Sequence, residues 1–241
     1  MKAWYLKDDL WQETTSLYEA IGLRTLHKGS IAVVGAGGKT SVLFQLAKEA
    51  VDQNLRVIVT TTTHMFREPG ALAASAEEAG ALLTRQPIVI AGIPAKEDKI
   101  TGLADEERTS LLQYADLLLI EADGSKRLPL KVPSDHEPVI PEGTDRVIVV
   151  AGLSGIGKPI SECCHRQELV QALLQDSCEH IIVPKDVATM ISEGYITKKF
   201  FKREYFVTVI LNQADDEAAR EAAYEIADCL KPYPCIITKL K

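Results

Sequence analysis

Short apolar runs alternate along most of the chain with longer stretches in which apolar residues return every three or four positions. The runs Ile31–Val34, 56–60, 87–91, 146–151, 180–184 and 235–238 predict short strands, as do Leu117–Ile120 and the run that begins at Phe206. Helical spacing predicts helices over 8–22, onward from Lys39, and over 71–83, 104–114, 161–175 and 217–230. Residues 187–202 read as mixed helix and loop, and 92–102 and 125–143 as loops. In the second loop, Pro129, Pro133, Pro138 and Pro141 exclude a regular helix or a central strand. Strands alternating with helices imply an α/β fold in three layers, a mainly parallel sheet with helices on both faces. A chain of 241 residues can form one such domain, 1–241, with 1–28 expected as an N-terminal helical extension.

Chemistry concentrates where the first strand meets its helix. After Ile31–Val34 come Gly35, Ala36, Gly37, Gly38, Lys39, Thr40 and Ser41. A strand, a glycine turn and a helix N-terminus make an anion site, because backbone N–H groups and the helix dipole both favour negative charge. In a phosphate-binding loop Lys39 lies against the terminal phosphates and the Thr40 hydroxyl ligates Mg²⁺. The pattern G-x-x-x-x-G-K-[ST] asks for glycine at 33, where this chain has Val33. The compact remainder resembles the loop of the Mur ligases, G-x-N-G-K-[ST], with Gly37 in place of Asn. A glycine turn that merely packs a helix on a sheet is the competing explanation.

The run Leu117–Ile120 leads into Glu121, Ala122, Asp123 and Gly124. An apolar strand with a carboxylate at its end is the form of a Walker-B element, which reaches Mg²⁺ directly or through water. Strand alternation puts Glu121 and Asp123 on one face and Ala122 on the other. With Thr40 they form the expected metal set, and with Lys39 the expected catalytic set. A strand ending in an Asp-Gly turn is the plainer alternative.

Other polar groups are candidates for substrate contact. Thr62 and His64 follow the strand 56–60 at the end where open α/β sheets collect ligands. Lys131, His136 and Glu137 lie in the long loop, and His165 and Arg166 in the segment 161–175. Gly152 to Pro159 imitates a second phosphate loop, but Pro159 stands where the metal-binding hydroxyl belongs, so that function is rejected. Asn212-Gln213-Ala214-Asp215 resembles the N-K-x-D element of GTP-binding proteins, in which Asp accepts from the guanine edge and Asn orients the loop. Gln213 replaces the Lys, which leaves ATP and GTP both open.

Composition narrows the classes. A net charge of −7, from 27 Lys and Arg and 34 Asp and Glu, argues against a nucleic-acid binder. No apolar run approaches membrane-spanning length and the first residues lack a signal-peptide core, so a cytoplasmic protein without membrane partners is expected. Five cysteines without a C-x-x-C pair suggest free thiols, Cys163 and Cys164 included.

The motifs G-A-G-G-K-T-S at 35–41, V-T-T-T-T-H at 59–64, A-D-L-L-L-I-E-A-D-G at 115–124, L-K-V-P at 130–133, H-E-P-V-I-P at 136–141 and the terminal N-x-x-D together resemble the YqeC family. These are accessory proteins of selenium-dependent molybdenum hydroxylases. The resemblance implies a P-loop NTPase-like fold that binds ATP or GTP with Mg²⁺ and acts on a molybdenum hydroxylase or its cofactor machinery. It also implies that residues 35–41 hold phosphates, that Glu121 and Asp123 are the acidic pair, and that Lys131, His136, Glu137, His165 and Arg166 line the remaining cleft. Three activities fit: an NTPase or phosphoryl-transfer enzyme, a nucleotide-gated chaperone without significant turnover, and a Mur-like ATP-dependent ligase.

Overall fold

The computed structural model describes residues 1–200 and 205–240. Ten strands form the main sheet: β1 (Lys2–Lys7), β2 (Leu10–Thr14), β3 (Gly29–Gly35), β4 (Val57–Thr61), β5 (Ala71–Ala73), β6 (Ile88–Ala91), β7 (Leu117–Glu121), β8 (Arg146–Gly152), β9 (Phe206–Asn212) and β10 (Cys235–Lys239). Their spatial order is β2-β1-β10-β9-β8-β3-β7-β4-β6-β5. Every neighbouring pair from β10 to β5 is parallel, and β1 and β2 close one side as antiparallel strands.

Burial alternates along the central strands. Ile31 and Val33 of β3 pack with Val42, Leu43 and Leu46 of the helix Lys39–Asp52, whereas Ala32 and Val34 pack on the opposite face with Tyr195 and Ile226. Leu118 and Ile120 of β7 join a third cluster with Ala76, Ala79 and Leu83 of the helix Ala76–Leu83. A parallel sheet covered on both faces needs continuous apolar strands, which is why the runs were legible as strands. The result is the expected three-layer α/β fold, a mainly parallel sheet covered on both faces.

Several expected elements differ. The helix placed over 8–22, and with it the helical N-terminal extension, is replaced by the β1–β2 hairpin and a single helical turn, Leu17–Ala20. Asp8 and Asp9 both have positive φ, and Lys7 pairs with Leu10, which makes a two-residue hairpin turn whose twist suits antiparallel strands. Over 71–83 the helix begins only at Ala76, where Ser75 accepts from the Glu78 N–H; Ala71–Ala73 extends the sheet as β5. The loop 92–102 contains two short strands that join His64–Phe66 in a small antiparallel sheet. The helix 161–175 breaks at Cys164–His165, which pairs with Leu130–Lys131 inside the long loop. Residues 180–184 contribute one bridge, Ile181 to Pro159, before the helix Pro184–Thr189. That helix continues as a π-helical stretch, Met190–Phe200; 201 and 202 of the expected 187–202 segment lie outside the described residues.

Candidate functional site

The glycine loop rests on β8 without room for side chains. A Cβ on Gly35 would lie 2.1 Å from the Val150 carbonyl oxygen, and one on Gly37 would lie 2.3 Å from the Gly152 nitrogen. Both glycines have positive φ, so glycine is needed for conformation as well as space. The first N–H groups of the loop are already engaged: Gly35 donates to Asp123 Oδ2 at 2.9 Å, Ala36 to the Val150 carbonyl at 2.9 Å, and Gly37 to the Leu128 carbonyl at 3.1 Å. The donors left for an anion are those from Gly38 into the first turn of the helix, where no intrahelical acceptor exists.

β7 lies beside β3, with Glu121 in register with Val33. This places both carboxylates of the acidic strand against the loop. The Thr40 hydroxyl donates to Glu121 Oε2 at 2.8 Å. Lys39 Nζ donates to its own loop at the Gly35 carbonyl (2.8 Å) and to Ser125 Oγ (3.1 Å), and forms an ion pair with Asp123 Oδ1 at 3.2 Å. Ala122 faces the other way, into the apolar core. Burial pushes the Glu121 carboxyl above its ordinary range; the Lys39 charge and the Thr40 hydrogen bond oppose this without cancelling it.

Asp123 is fully buried and anchors a charged network. Its Oδ2 accepts from the Tyr195 hydroxyl at 2.9 Å and pairs with Lys131 Nζ at 3.2 Å. Lys131 also donates to the Gly124 carbonyl at 2.6 Å and to Glu137 Oε2 at 2.9 Å, and Arg166 Nη2 reaches the same Glu137 oxygen at 3.1 Å. Burial raises the Glu137 carboxyl, but the hydrogen bonds and charges of Lys131 and Arg166 outweigh it and hold the group below its usual range. Burial lowers His165, assisted by the positive charges of Lys131, Arg166 and Lys126. Desolvation, reinforced by the Asp123 charge, raises the Tyr195 phenol well above its ordinary value.

A cleft of about 1490 Å³ opens above the loop. Gly37, Gly38, Lys39, Thr40, Ser41 and Glu121 line it, together with His64, His165, Arg166, Asn212 and Asp215. Gly35, Ala36 and Asp123 lie beneath it as support. Lys131 and Glu137 belong to the buried network and are not part of the lining. Thr62 spends its hydroxyl on the Val139 carbonyl at 2.8 Å, and His136 is exposed outside the cleft. Asn212 is a latch: Nδ2 donates to the Gly37 carbonyl at 2.8 Å while Oδ1 accepts from Thr238 of β10 at 2.9 Å. Gln213, in the place of the expected Lys, accepts from Ser154 Oγ at 2.6 Å.

Sequence reasoning missed Tyr195, 72 positions from Asp123 with no motif around it. It also missed Ser125, Lys126, Arg127 and Phe66, which line the cleft. The turn after Asp123-Gly124 was the available signal for the first three.

For Mg²⁺, the donors present fit. One carboxylate, Glu121, sits beside one hydroxyl, Thr40, and magnesium in nucleotide sites takes one or two such ligands with phosphate oxygens and water completing the octahedron. Among the described residues no group of three or more His, Cys, Asp or Glu that could hold a metal ion is gathered. Asp123 Oδ2 is committed to Lys131, Tyr195 and the Gly35 N–H, whereas its buried Oδ1 faces the Lys39 amine at 3.2 Å and has no hydrogen-bond partner among the described residues.

A strand, glycine loop and helix with an acidic strand alongside define an α/β protein of P-loop NTPase-like form. The chain belongs to the YqeC family, described as YqeC protein, whose match covers residues 31–168. That range includes the loop, the acidic strand, Lys131, Glu137, His165 and Arg166, and ends before Tyr195, Asn212 and Asp215. Over 150 residues the chain is 39% identical to a protein of Escherichia coli (strain K12) described as uncharacterized protein YqeC, a match over 56% of this chain and 57% of that protein. The chain therefore spans a little over half the length of this relative. Among solved structures it is similar to hydrogenase maturation factor HypB from Archaeoglobus fulgidus, with TM-score 0.39 and 13% identity over 90% of this chain and 84% of that one. It is also similar to FlhF complexed with GMPPNP and Mg²⁺, with TM-score 0.44 and 11% identity over 90% and 67%. No helix among the described residues is long and apolar enough to cross a membrane.

Proposed function

We propose that the cleft binds a nucleoside triphosphate with Mg²⁺ on Gly38–Ser41 and supports hydrolysis or transfer of its terminal phosphoryl group. The observation that carries this reading is the meeting of Lys39 and Thr40 with Asp123 and Glu121 at one end of the sheet. Helix-terminal N–H groups and the Lys39 amine would hold the phosphates, and Glu121 with Thr40 would hold the metal. Bound Mg²⁺ neutralises charge on the phosphate oxygens. Asp123 keeps the Lys39 amine aimed at the loop and so acts through it as a positioning residue. Asp215, which lines the cleft, would accept from a purine edge, with ATP and GTP both candidates. Resemblance to the YqeC family supports placing the activity in maturation of a selenium-dependent molybdenum hydroxylase, with that enzyme or its cofactor machinery as partner.

The decisive measurement is binding and turnover of ATP and GTP with Mg²⁺, in wild type and Lys39→Ala. Loss of the Lys39 amine is expected to lower turnover by about 10²-fold or more. Retention of either nucleotide at undiminished affinity by Lys39→Ala removes the loop from the site. A nucleotide-gated binding role is favoured by one feature, the Asp123 network, which links Lys39 to Lys131 and Glu137 of the long loop. In that case partner affinity changes with nucleotide while turnover stays negligible.

A further inference from the structure

The chain carries a net charge of −7, yet the cleft is lined by six Lys and Arg side chains against four carboxylates. Two of the cations away from the loop are paired, Lys99 with Glu97 and Arg166 with Glu137. Among the described residues, Lys96, Lys126 and Arg127 make no ion pair. Lys126 and Arg127 occupy consecutive left-handed positions, at φ 47° and 64°. They form the centre of a tight turn closed by the Leu128 N–H on the Ser125 carbonyl at 3.0 Å, which sets both side chains at the edge of the cleft. The Arg127 guanidinium stacks 3.9 Å above the Phe66 ring, with the Lys99 amine 5.1 Å from the same ring, which fixes Arg127 at the wall of the cleft.

Two further groups belong to this wall. His165 Nδ1 and Arg166 Nε are buried and have no hydrogen-bond partner among the described residues. Buried polar atoms of this kind cost free energy unless something satisfies them. The neighbouring cations also disfavour a charged His165. Ser125, directly before the Lys126–Arg127 turn, accepts from Lys39 Nζ at 3.1 Å, so this cationic wall adjoins the tip of the phosphate loop.

We propose that Lys126, Arg127 and Arg166, with His165, form a second oxyanion subsite that takes the phosphate group of a phosphorylated small-molecule co-substrate. Its role as a co-substrate site rests on the reading of the loop as a nucleotide site; the subsite itself does not. A tetrahedral phosphate offers acceptors in several directions, which suits side chains drawn from two segments that line the same cleft, 126–127 and 165–166, with the Lys126 charge felt at His165. The position next to Lys39 brings that co-substrate to the terminal phosphate of the nucleotide.

Equilibrium dialysis with radiolabelled inorganic phosphate tests the subsite on the full chain. Wild type and Lys39→Ala are expected to retain phosphate within about twofold of each other, while Lys39→Ala loses ATP and GTP. Lys126→Gly/Arg127→Gly removes both cations and accommodates the left-handed backbone; it is expected to weaken phosphate retention at least tenfold while circular dichroism stays unchanged. No retention by wild type, loss of phosphate in Lys39→Ala, or equal retention by the double-glycine protein would each overturn the inference. Displacement of the label by equimolar acetate would overturn the choice of phosphate over carboxylate. Phosphate retained while no nucleotide binds removes the loop reading and leaves the subsite standing; nucleotide bound without phosphate does the reverse.

Discussion

Lys131 has no exposed side-chain surface, and its amine serves Asp123, Glu137 and the Gly124 carbonyl together. A buried ion pair adds little net stability, but deleting one partner strands the others in a medium that solvates charge poorly. Lys131→Met is therefore expected to lower stability by about 3–5 kcal/mol, read as a drop in the urea midpoint, and Lys131→Arg to recover only part of it. Glu121 behaves in the opposite sense. Its folded-state carboxyl titrates above the ordinary 4.5, mainly because it is buried, so ionisation penalises the folded state. That penalty is absent below the unfolded value and grows as pH rises through the folded one. Glu121→Gln should be more stable than wild type at pH 7 and indistinguishable at pH 4 in urea titrations. The same substitution should weaken Mg²⁺-dependent nucleotide binding by about 10–100-fold. A Glu121→Gln protein less stable than wild type at pH 7 would contradict the burial argument.

Among the elements, the glycine loop is held from two sides, by β8 underneath and by Asn212 at the end of β9. Asn212 engages both ends of its amide within the protein and so positions the loop. Asn212→Ala is expected to weaken ATP and GTP alike by about tenfold, the cost of leaving the Gly37 carbonyl and Thr238 hydroxyl unpaired. Asp215→Ala should alter the ratio of the two affinities, measured by titrating each nucleotide. These roles mark what the sequence could tell. The loop, its helix and the acidic strand were readable because each is local, a run of apolar residues followed within a few positions by the polar groups it presents. Residues 8–22 misled because Leu10, Trp11, Leu17, Tyr18 and Ile21 also fit a helix face. The turn that decides the matter is two aspartates in left-handed conformation, and Leu10 ends exposed on β2. Tyr195 and the pairing of His165 with Lys131 escaped because their partners lie far along the chain, and no periodicity records such a contact. The engagement of the Gly35, Ala36 and Gly37 N–H groups escaped for the same reason, since their acceptors belong to three other segments.

Across the whole molecule, the β1–β2 hairpin connects the sheet edge to the glycine loop. β1 covers β10, with Ala3 in register with Thr238, and Thr238 is the last link of the chain that runs through Asn212 to the Gly37 carbonyl. Ala3 and Tyr5 also pack in the apolar cluster that holds Leu43 and Leu46 of the helix behind the loop. Without the hairpin, β10 would become an open edge carrying the apolar run Cys235, Ile236 and Ile237, the sort of edge that pairs with other chains. Removal of residues 1–14 is therefore expected to do two separable things. The shortened protein should self-associate, seen by light scattering after size exclusion, and its monomeric fraction should bind nucleotide more weakly although every loop residue is present. Replacing Leu10, which is 68% exposed, with Lys tests surface apolarity alone, and should leave both properties as in wild type. If the shortened chain stayed monomeric and kept full nucleotide affinity, the latch would owe nothing to its outer neighbour and β10 would hold Thr238 in place through β9 alone.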